Sequence, residues 1–324
     1  MAERFRGWED SGLPPDSPGT VCTVGTFDGV HRGHQSVLAR IAQRAERSGL
    51  HSVLVTFDPH PLEIVRPGDA PSLLTVGPEK LEIVAQSGIN YMAIVPFTEV
   101  LRRFSAAQFV DEVLLRRFHV RELVIGYDHH FGRGREGSAD VMRALGERRG
   151  FGVEVLGPIS AGDTAPISSS RIRRAIAAGA LDDAATMLGR PYSVSGIVRQ
   201  GDRRGRLLGF PTINLGNPPR RKLLPPTGVY AVRARSSAGA FGGMLNLGAR
   251  PTFDDPEISL EVHLFDADVD LYGRFVSVEF VSRLRDTRRF DGAEALVEQL
   301  HRDAAAARAA LTPHGEISNL QVSP

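Results

Sequence analysis

Cysteine is almost absent from this chain. Cys22 is the sole cysteine in 324 residues, which rules out an internal disulfide and any zinc site built from several thiolates. It also suits a reducing compartment. An excess of charge of either sign is missing too. The 39 Lys and Arg nearly cancel 38 Asp and Glu, leaving a formal net charge of +1, so nothing draws the chain unspecifically to nucleic acid or to an anionic membrane. No apolar run approaches the ~20 residues of a spanning helix. The opening MAERFRGWEDSGLPPDSPG is polar and rich in Pro and Gly, with no apolar signal core. A G-x-x-x-x-G-K-S/T phosphate loop is absent, as is an H-E-x-x-H zinc helix. With 42 % apolar and 24 % charged residues, what remains is the profile of a cytoplasmic globular enzyme, long enough for two domains.

The first half alternates between two periodicities. VCTVGTF, SVLVTF, YMAIVPF, ELVIGY and GVEVLGP predict strands, while GHQSVLARIAQRAERSG, SAAQFVDEVLLRRF and SADVMRALGERRG between them keep helical spacing. In the first helix Val37, Leu38, Ile41, Ala42 and Ala45 share a face and Gly49 can end it. Strand, helix, strand in succession implies right-handed crossovers and a parallel sheet. Ligands of such sheets sit beyond the carboxyl ends of the strands. Two short helical patterns, SSSRIRRAIAAG and LDDAATMLG, close this half. After GRPY helical spacing gives way to short strands such as YSVSGIVRQG, GVYAVRARS, FGGMLNLG, SLEVHLF and RFVSVEFVSRL, then to one amphipathic helix, DGAEALVEQLHRDAAAARAAL. That texture predicts an antiparallel barrel or sandwich. The expected division is a loose segment 1–19, a first domain 20–188, a second 189–311 and a loose tail 312–324.

Chemistry concentrates where the first strand turns into the first helix. GTFDGVHRGH, Gly25 to His34, puts three glycines around His31 and His34. Gly25 and Gly29 let backbone approach a ligand, and Gly33 begins a helix whose amino end favours anions. His31 and His34, three apart, face the same way and can steady charge on a phosphorus under attack. ISSSRIRR, Ile167 to Arg174, adds three serines and arginines at a second helix start, suited to capping and to holding phosphate oxygens. Read singly, each stretch has a plain alternative: a surface turn with incidental histidines, and a capped helix with solvated arginines.

Together these motifs resemble the bacterial bifunctional riboflavin kinase/FMN adenylyltransferases, or FAD synthetases. TFDPHP (Thr56 to Pro61), IGYDHHFGRGREG (Ile125 to Gly137), GRPYSVSGIVRQGDRRGRLLGFPTINL (Gly189 to Leu215), GVYAV, LNLGARPTF and LEVHLFDADVDLYG (Leu260 to Gly273) extend the likeness over Thr20 to Leu311. The resemblance implies a Rossmann-like nucleotidyltransferase domain followed by a β-barrel riboflavin kinase domain with a C-terminal helix. It implies two reactions: riboflavin and ATP give FMN, then FMN and ATP give FAD and pyrophosphate, with Mg²⁺ as the metal. His31 and His34 would be catalytic in the second reaction. Gly25, Phe27, Asp28, Gly29, Ser168, Ser169, Ser170 and Arg171 would hold ATP and its phosphates, and Phe57, Asp58, Pro59 and Asp128 would meet the flavin. In the kinase Glu261 would be the catalytic base; Gly201, Arg206, Gly209, Phe210, Thr212 and Asn214 would bind ATP, with Thr212 and Asn214 at Mg²⁺. Phe57 and Asp58 can also be read as ordinary strand-end residues, and Glu261 as a solvated carboxylate. Riboflavin, FMN, FAD and ATP are the implied partners, without nucleic acid or membrane, and no motif sets an oligomeric state.

Departures from the family pattern are local. Ile213 stands where Ala is usual; packed into a barrel it would be harmless, whereas facing nucleotide it would tighten the site. His129 replaces an aromatic such as Phe, Ser170 a Thr, and Ala267 a Phe. Two rival readings also stand. GRGREG, Gly132 to Gly137, satisfies G-x-G-x-x-G with Glu154 near the spacing of a ribose-binding acid, which would make a dinucleotide enzyme. A flavin-binding protein that has lost its chemistry is the other.

Overall fold

In the computed structural model, residues 3–4, 13–14, 16–127, 131–160, 165–201, 204–216, 221–250 and 257–312 are described. The chain divides into two compact units. One comprises Met1–Ile172 with Met187–Gly189; the other comprises Arg173–Thr186 with Arg190–Pro324.

The first unit is built on a parallel sheet. Its strands are β1 (Glu3–Arg4), β2 (Thr20–Val24), β3 (His51–Asp58), β4 (Tyr91–Pro96), β5 (Val120–Gly126) and β6 (Gly152–Leu156), in the order β1-β4-β3-β2-β5-β6. All five pairings are parallel, as the alternating texture predicts. From β2 the chain runs outward through β3 to β4, then crosses back to β5 on the other side of β2. The gap between the carboxyl ends of β2 and β5 is therefore the switch point where a sheet of this type takes its ligand. Within 1–19, expected to be loose, Glu3–Arg4 pairs with Tyr91 and Met92 and covers the edge that β4 would otherwise leave open.

Helices α1 (Arg32–Ser48), α2 (Gly77–Ala85), α3 (Ala106–Phe109 continued through a π-helical Val110–Leu115 to Arg116–Phe118) and α4 (Ala139–Arg149) cover the sheet. Alternation along the strands feeds two cores. Cys22, Val24, Val53, Val55, Leu123 and Ile125 pack with Phe109, Val113 and Met142. Val21, Leu54, Met92 and Val124 pack with Leu38, Ile41 and Val84. Helix α1 buries Val37, Leu38, Ile41 and Ala45 and ends at Gly49, whose φ of 64° is left-handed. Gly supplies that conformation without the clash a Cβ would bring. Two further helices, α5 (Ser169–Ala177) and α6 (Leu181–Leu188), match the two patterns that close the first half.

The second unit contains a closed antiparallel barrel of β7 (Ser193–Arg199), β8 (Ile213–Leu215), β9 (Gly228–Ser236), β10 (Gly239–Arg250), β11 (Glu257–Leu264) and β12 (Phe275–Arg285), in the order β10-β11-β8-β7-β12-β9. Between the barrel and sandwich readings, the barrel is what forms. Leu245, Leu247, Leu260, Val262, Val278 and Phe280 are buried. Helix α7 (Ala293–Leu311) lies over the outer face of β9, β10 and β12; Ala307 packs there with Phe210, Ala231, Met244 and Phe265. The buried Asp303 accepts from the Arg285 guanidinium at 2.6–3.0 Å, fixing the helix to β12.

Candidate active sites

The loop after β2 is a piece of backbone held in shape by its neighbours. Phe27 and Val30 adopt φ of 45° and 39° and Gly29 a φ of 82°; for Phe and β-branched Val this is strained backbone that only a surrounding structure maintains. A Cβ on Gly29 would come within 2.7 Å of the Leu74 side chain. Asp28 is buried, and its carboxylate accepts from the Leu74 amide at 2.9 Å and the Thr75 amide at 3.0 Å. The Gly29 amide donates to Thr75 Oγ1 at 3.0 Å. Asp28, grouped by sequence with phosphate-binding residues, thus has its carboxylate engaged in closing the loop on residues 74–75. Gly25 belongs to the same frame, its amide donating to the Val55 carbonyl at 3.0 Å.

The loop delivers the histidines to the first turn of α1. His31 is the N-cap, and its Nδ1 accepts from the His34 amide at 3.4 Å. An accepting Nδ1 places the proton of a neutral ring on Nε2, leaving that nitrogen as the donor. The two imidazoles stack, with centroids 3.7 Å apart and planes 15° from parallel; the Phe27 ring lies 4.5 Å from that of His34. A Cβ at Gly33 would sit 3.1 Å from His31 Cε1, so the glycine makes room for the capping ring.

ISSSRIR is brought to this loop. Ser169 Oγ donates to the Asp28 carbonyl at 2.9 Å, and Ser168 Oγ accepts from the Arg171 amide at 3.3 Å. The Arg171 guanidinium donates to the Ala165 and Pro166 carbonyls at 2.6 and 2.8 Å, and Ser170 is exposed. Phe57, at the end of β3, meets Phe97 edge to face at 5.5 Å, and Phe109 reaches on to Phe131 at 5.2 Å. An aromatic row therefore lies near the carboxyl ends of β3, β4 and β5. Asp58 is exposed beside it and Pro59 half-buried; Asp128 and His129 lie outside the described residues.

Sequence reading missed the segment 74–80. Leu74 and Thr75 hold Asp28 as described, and Lys80 on α2 donates from Nζ to the Thr26 carbonyl at 2.6 Å. Only contacts 46 to 54 positions apart reveal these roles, and VGPEKLEIVA carries no local sign of them.

The dinucleotide rival loses its ribose acid. Glu154 is bound by the Arg40 guanidinium at 2.7–3.1 Å. GRGREG forms a short turn over Arg133–Arg135, followed by a separate Ser138-capped helix, so its glycines do not lead from strand into helix.

In the barrel the ladder register sets the site. Glu261 stands opposite Asn214 on one side and Asn246 on the other, and Asn214 stands opposite Arg199. Directly opposed residues project to the same face, so a carboxylate, two carboxamides and a guanidinium share the part of the outer face that α7 leaves open. Ile213 pairs with Val262 and Leu215 with Leu260, on the apolar face, which places Ile213 with the core and leaves Thr212 and Asn214 on the Glu261 side. Gly201 lies so close that a Cβ there would come within 2.2 Å of Asn214 Nδ2. His263 Nδ1 donates to the Pro211 carbonyl at 2.8 Å. Phe210, expected near ATP, is buried under α7 with its ring 5.1 Å from His263 and 5.0 Å from His301; it anchors the loop by its core packing. Arg206 and Gly209 are exposed, Gly209 with a φ of 80°.

Thr212 and Asn214 offer neutral oxygen donors, hard ones, on the face that carries the Glu261 carboxylate. They fit Mg²⁺ that draws the rest of its coordination from phosphate and water. Among the described residues no group of three or more His, Cys, Asp or Glu is placed to hold a metal by itself, and no helix is long and apolar enough to cross a membrane.

Comparison with known proteins follows the same division. A family model described as FAD synthetase matches residues 13–171 and one described as riboflavin kinase matches 188–311. A bifunctional riboflavin kinase/FMN adenylyltransferase of Pseudomonas fluorescens is 39% identical over 93% of this chain and 96% of its own. That of Bacillus subtilis is 37% identical over 88% and 90%. A crystal structure from Streptococcus pneumoniae, described as a macrolide-efflux protein, superposes with a TM-score of 0.82 at 29% identity, covering 95% of this chain and 98% of that one.

Proposed function

From the premise that the chain belongs to the bifunctional riboflavin kinase/FMN adenylyltransferases, with both activities that make FMN and then FAD, we propose how its residues divide the work. The stacked pair His31 and His34 at the sheet's switch point carries the reading for the first unit. An FMN phosphate oxygen attacks the α-phosphorus of ATP; the bond to the β-phosphate breaks and pyrophosphate leaves. The reaction needs positioning and charge stabilisation rather than a covalent intermediate. His31 Nε2–H and the His34 ring, at the amino end of α1, stabilise the negative charge on the α-phosphoryl oxygens. Gly25 and Gly29 let the backbone approach, while Phe27 and Asp28 shape the loop. Ser168, Ser169, Ser170 and Arg171 border the phosphates, and Phe57 with Asp58, Pro59 and Asp128 faces the flavin.

In the barrel the riboflavin 5′-hydroxyl attacks the γ-phosphorus of ATP, forming the new P–O bond as ADP leaves. Glu261 takes the hydroxyl proton as general base. Thr212 and Asn214 would hold Mg²⁺–ATP, with Gly201 leaving room for the Asn214 carboxamide; Arg199, Arg206 and Gly209 lie toward the phosphates. Mg²⁺ bound there supplies charge neutralisation on the phosphate oxygens. This reading places residues 20–188 and 189–311 as the two catalytic modules, in the cytoplasm where ATP is supplied.

The test uses purified chain with Mg²⁺-ATP and either riboflavin or FMN, followed by chromatographic separation of the flavins. FMN in the first reaction and FAD in the second are expected. Flavin binding with neither conversion would replace the enzyme with the binding-protein reading.

A further inference from the structure

Lys80 stands at a junction that the two motifs do not mention. Its Nζ donates to the Thr26 carbonyl at 2.6 Å and lies 3.4 Å from Thr56 Oγ1. Thr56 Oγ1 also donates to the Thr26 carbonyl, at 3.1 Å. One carbonyl thus takes two donors, one of them charged, just before the residue whose φ turns positive. Burial lowers the pKa of the ammonium, and the nearby carboxylates of Asp28 and Asp58 offset part of that.

The neighbouring contacts show what this junction restrains. Asp28 and Gly29 are held by Leu74 and Thr75, so the segment 74–80 grips the loop at both ends: Thr26 from Lys80, and Asp28–Gly29 from residues 74–75. Phe27 lies between the two grips at a φ of 45°, a conformation an unrestrained chain would leave. Its ring rests on His34, and His34 on His31. We propose that Lys80 is a positioning residue for adenylyl transfer, holding the Thr26–Phe27 backbone so that Phe27 keeps the two histidine rings in register. The proposal rests on the assignment of adenylyl transfer to His31 and His34.

A charged donor to a carbonyl is a stronger tether than a neutral one, and misplacing a catalytic group by about 1 Å can cost roughly 100-fold in rate. The experiment compares the full-length chain with Lys80→Met, Lys80→Arg and His31→Ala. It measures kcat and KM for FMN adenylylation, riboflavin kinase rate in the same samples, and the ring-proton NMR shifts of His31 and His34. Protection of Cys22, the sole thiol and a fully buried one, reports whether the first unit is folded. Lys80→Met is expected to lower adenylylation kcat by about 100-fold, with KM for ATP within about threefold and the kinase unchanged. The stacked histidine resonances should move toward unstacked positions. Lys80→Arg, which keeps the charge but not the short contact, should recover part of the rate.

Full adenylylation by folded Lys80→Met would overturn the proposal. So would a raised KM at unchanged kcat, which would make Lys80 a ligand contact, or a lost rate with unmoved histidine shifts. If Lys80→Met exposes Cys22, Lys80→Arg decides: folded with displaced histidines and a lowered kcat it supports the proposal, and folded with both unchanged it overturns it. Should His31→Ala stay active, the assignment of the site fails instead of the role of Lys80 alone.

Discussion

The two units hold their proposed sites in opposite ways. In the first, His31 and His34 sit on a loop and a helix end, and distant pieces of chain clamp them. Residues 74–75 hold Asp28, Ser169 holds its carbonyl, and Phe27 and Val30 are kept at positive φ. In the second, Glu261, Asn214 and Asn246 owe their places to ladder register, with β8 paired on both sides and none of the three at positive φ. A clamped site is exposed to the loss of any clamp. A ladder site tolerates changes around it and is vulnerable only at its own groups or to a side chain pushed into it.

The sharpest break of this comparison removes one group from each. His31→Ala takes away a donor aimed at developing charge and is expected to lower adenylylation by about 100- to 1,000-fold, leaving riboflavin phosphorylation within twofold. Glu261→Gln keeps shape and removes the proposed base, and should lower phosphorylation by roughly 100-fold or more with adenylylation unchanged. Separate initial rates on FMN and on riboflavin measure both. If either substitution reduced both rates alike, the two sites would not be independent.

A smaller effect tests the claim about intrusion. Gly201 has no unusual φ, so its lack of a side chain serves space alone: a Cβ would enter the Asn214 carboxamide at 2.2 Å. Gly201→Ala should turn that carboxamide away and raise KM for ATP in the kinase by about tenfold, an effect near 1.4 kcal/mol. The thermal midpoint should barely move, because the carboxamide can swing out. A kinase with unaltered KM would remove Asn214 from the nucleotide site.

The ladder site was the more legible of the two. Alternation in SLEVHLF put Leu260 and Val262 on one face and Glu261 and His263 on the other, and the register bears that out. Helix α1 was legible as well, from its apolar spacing to its stop at Gly49. What stayed hidden depended on long-range contact. Strand β8 is three residues long and carries no periodicity of its own; β7 and β11 pair on its two sides. The partners of the Asp28 carboxylate are hidden because nothing local announces two backbone amides 46 and 47 positions away. The burial of Phe210 is not legible locally because it is created by α7, nearly a hundred residues further on. Glu154 fits a ribose acid by spacing until Arg40 claims it.

The smallest expected effect separates the units by pH. Cys22 lies within β2 and is fully buried; burial pushes its thiol pKa well above the ordinary range, only partly offset by the Val55 backbone. Below the unfolded thiol pKa of about 8.5 both states keep the proton and pH has no effect through this group. As pH rises past it, the unfolded chain releases the proton while the folded one retains it, so stability falls by up to about 1.4 kcal/mol per pH unit. From pH 8.5 to 9.5 the thiol should cost the first unit about 1 kcal/mol, the amount by which wild type loses more than Cys22→Ala over that interval. The barrel has no thiol, and one of its buried phenols, Tyr230, also raised chiefly by burial, begins to contribute only near pH 10. Urea unfolding at the two pH values, with adenylylation and kinase activities as separate probes, measures each unit. An equal pH slope in wild type and Cys22→Ala would show that the thiol is not what couples the first unit to alkali, whereas a difference confined to adenylylation would show that the two units unfold by separate transitions.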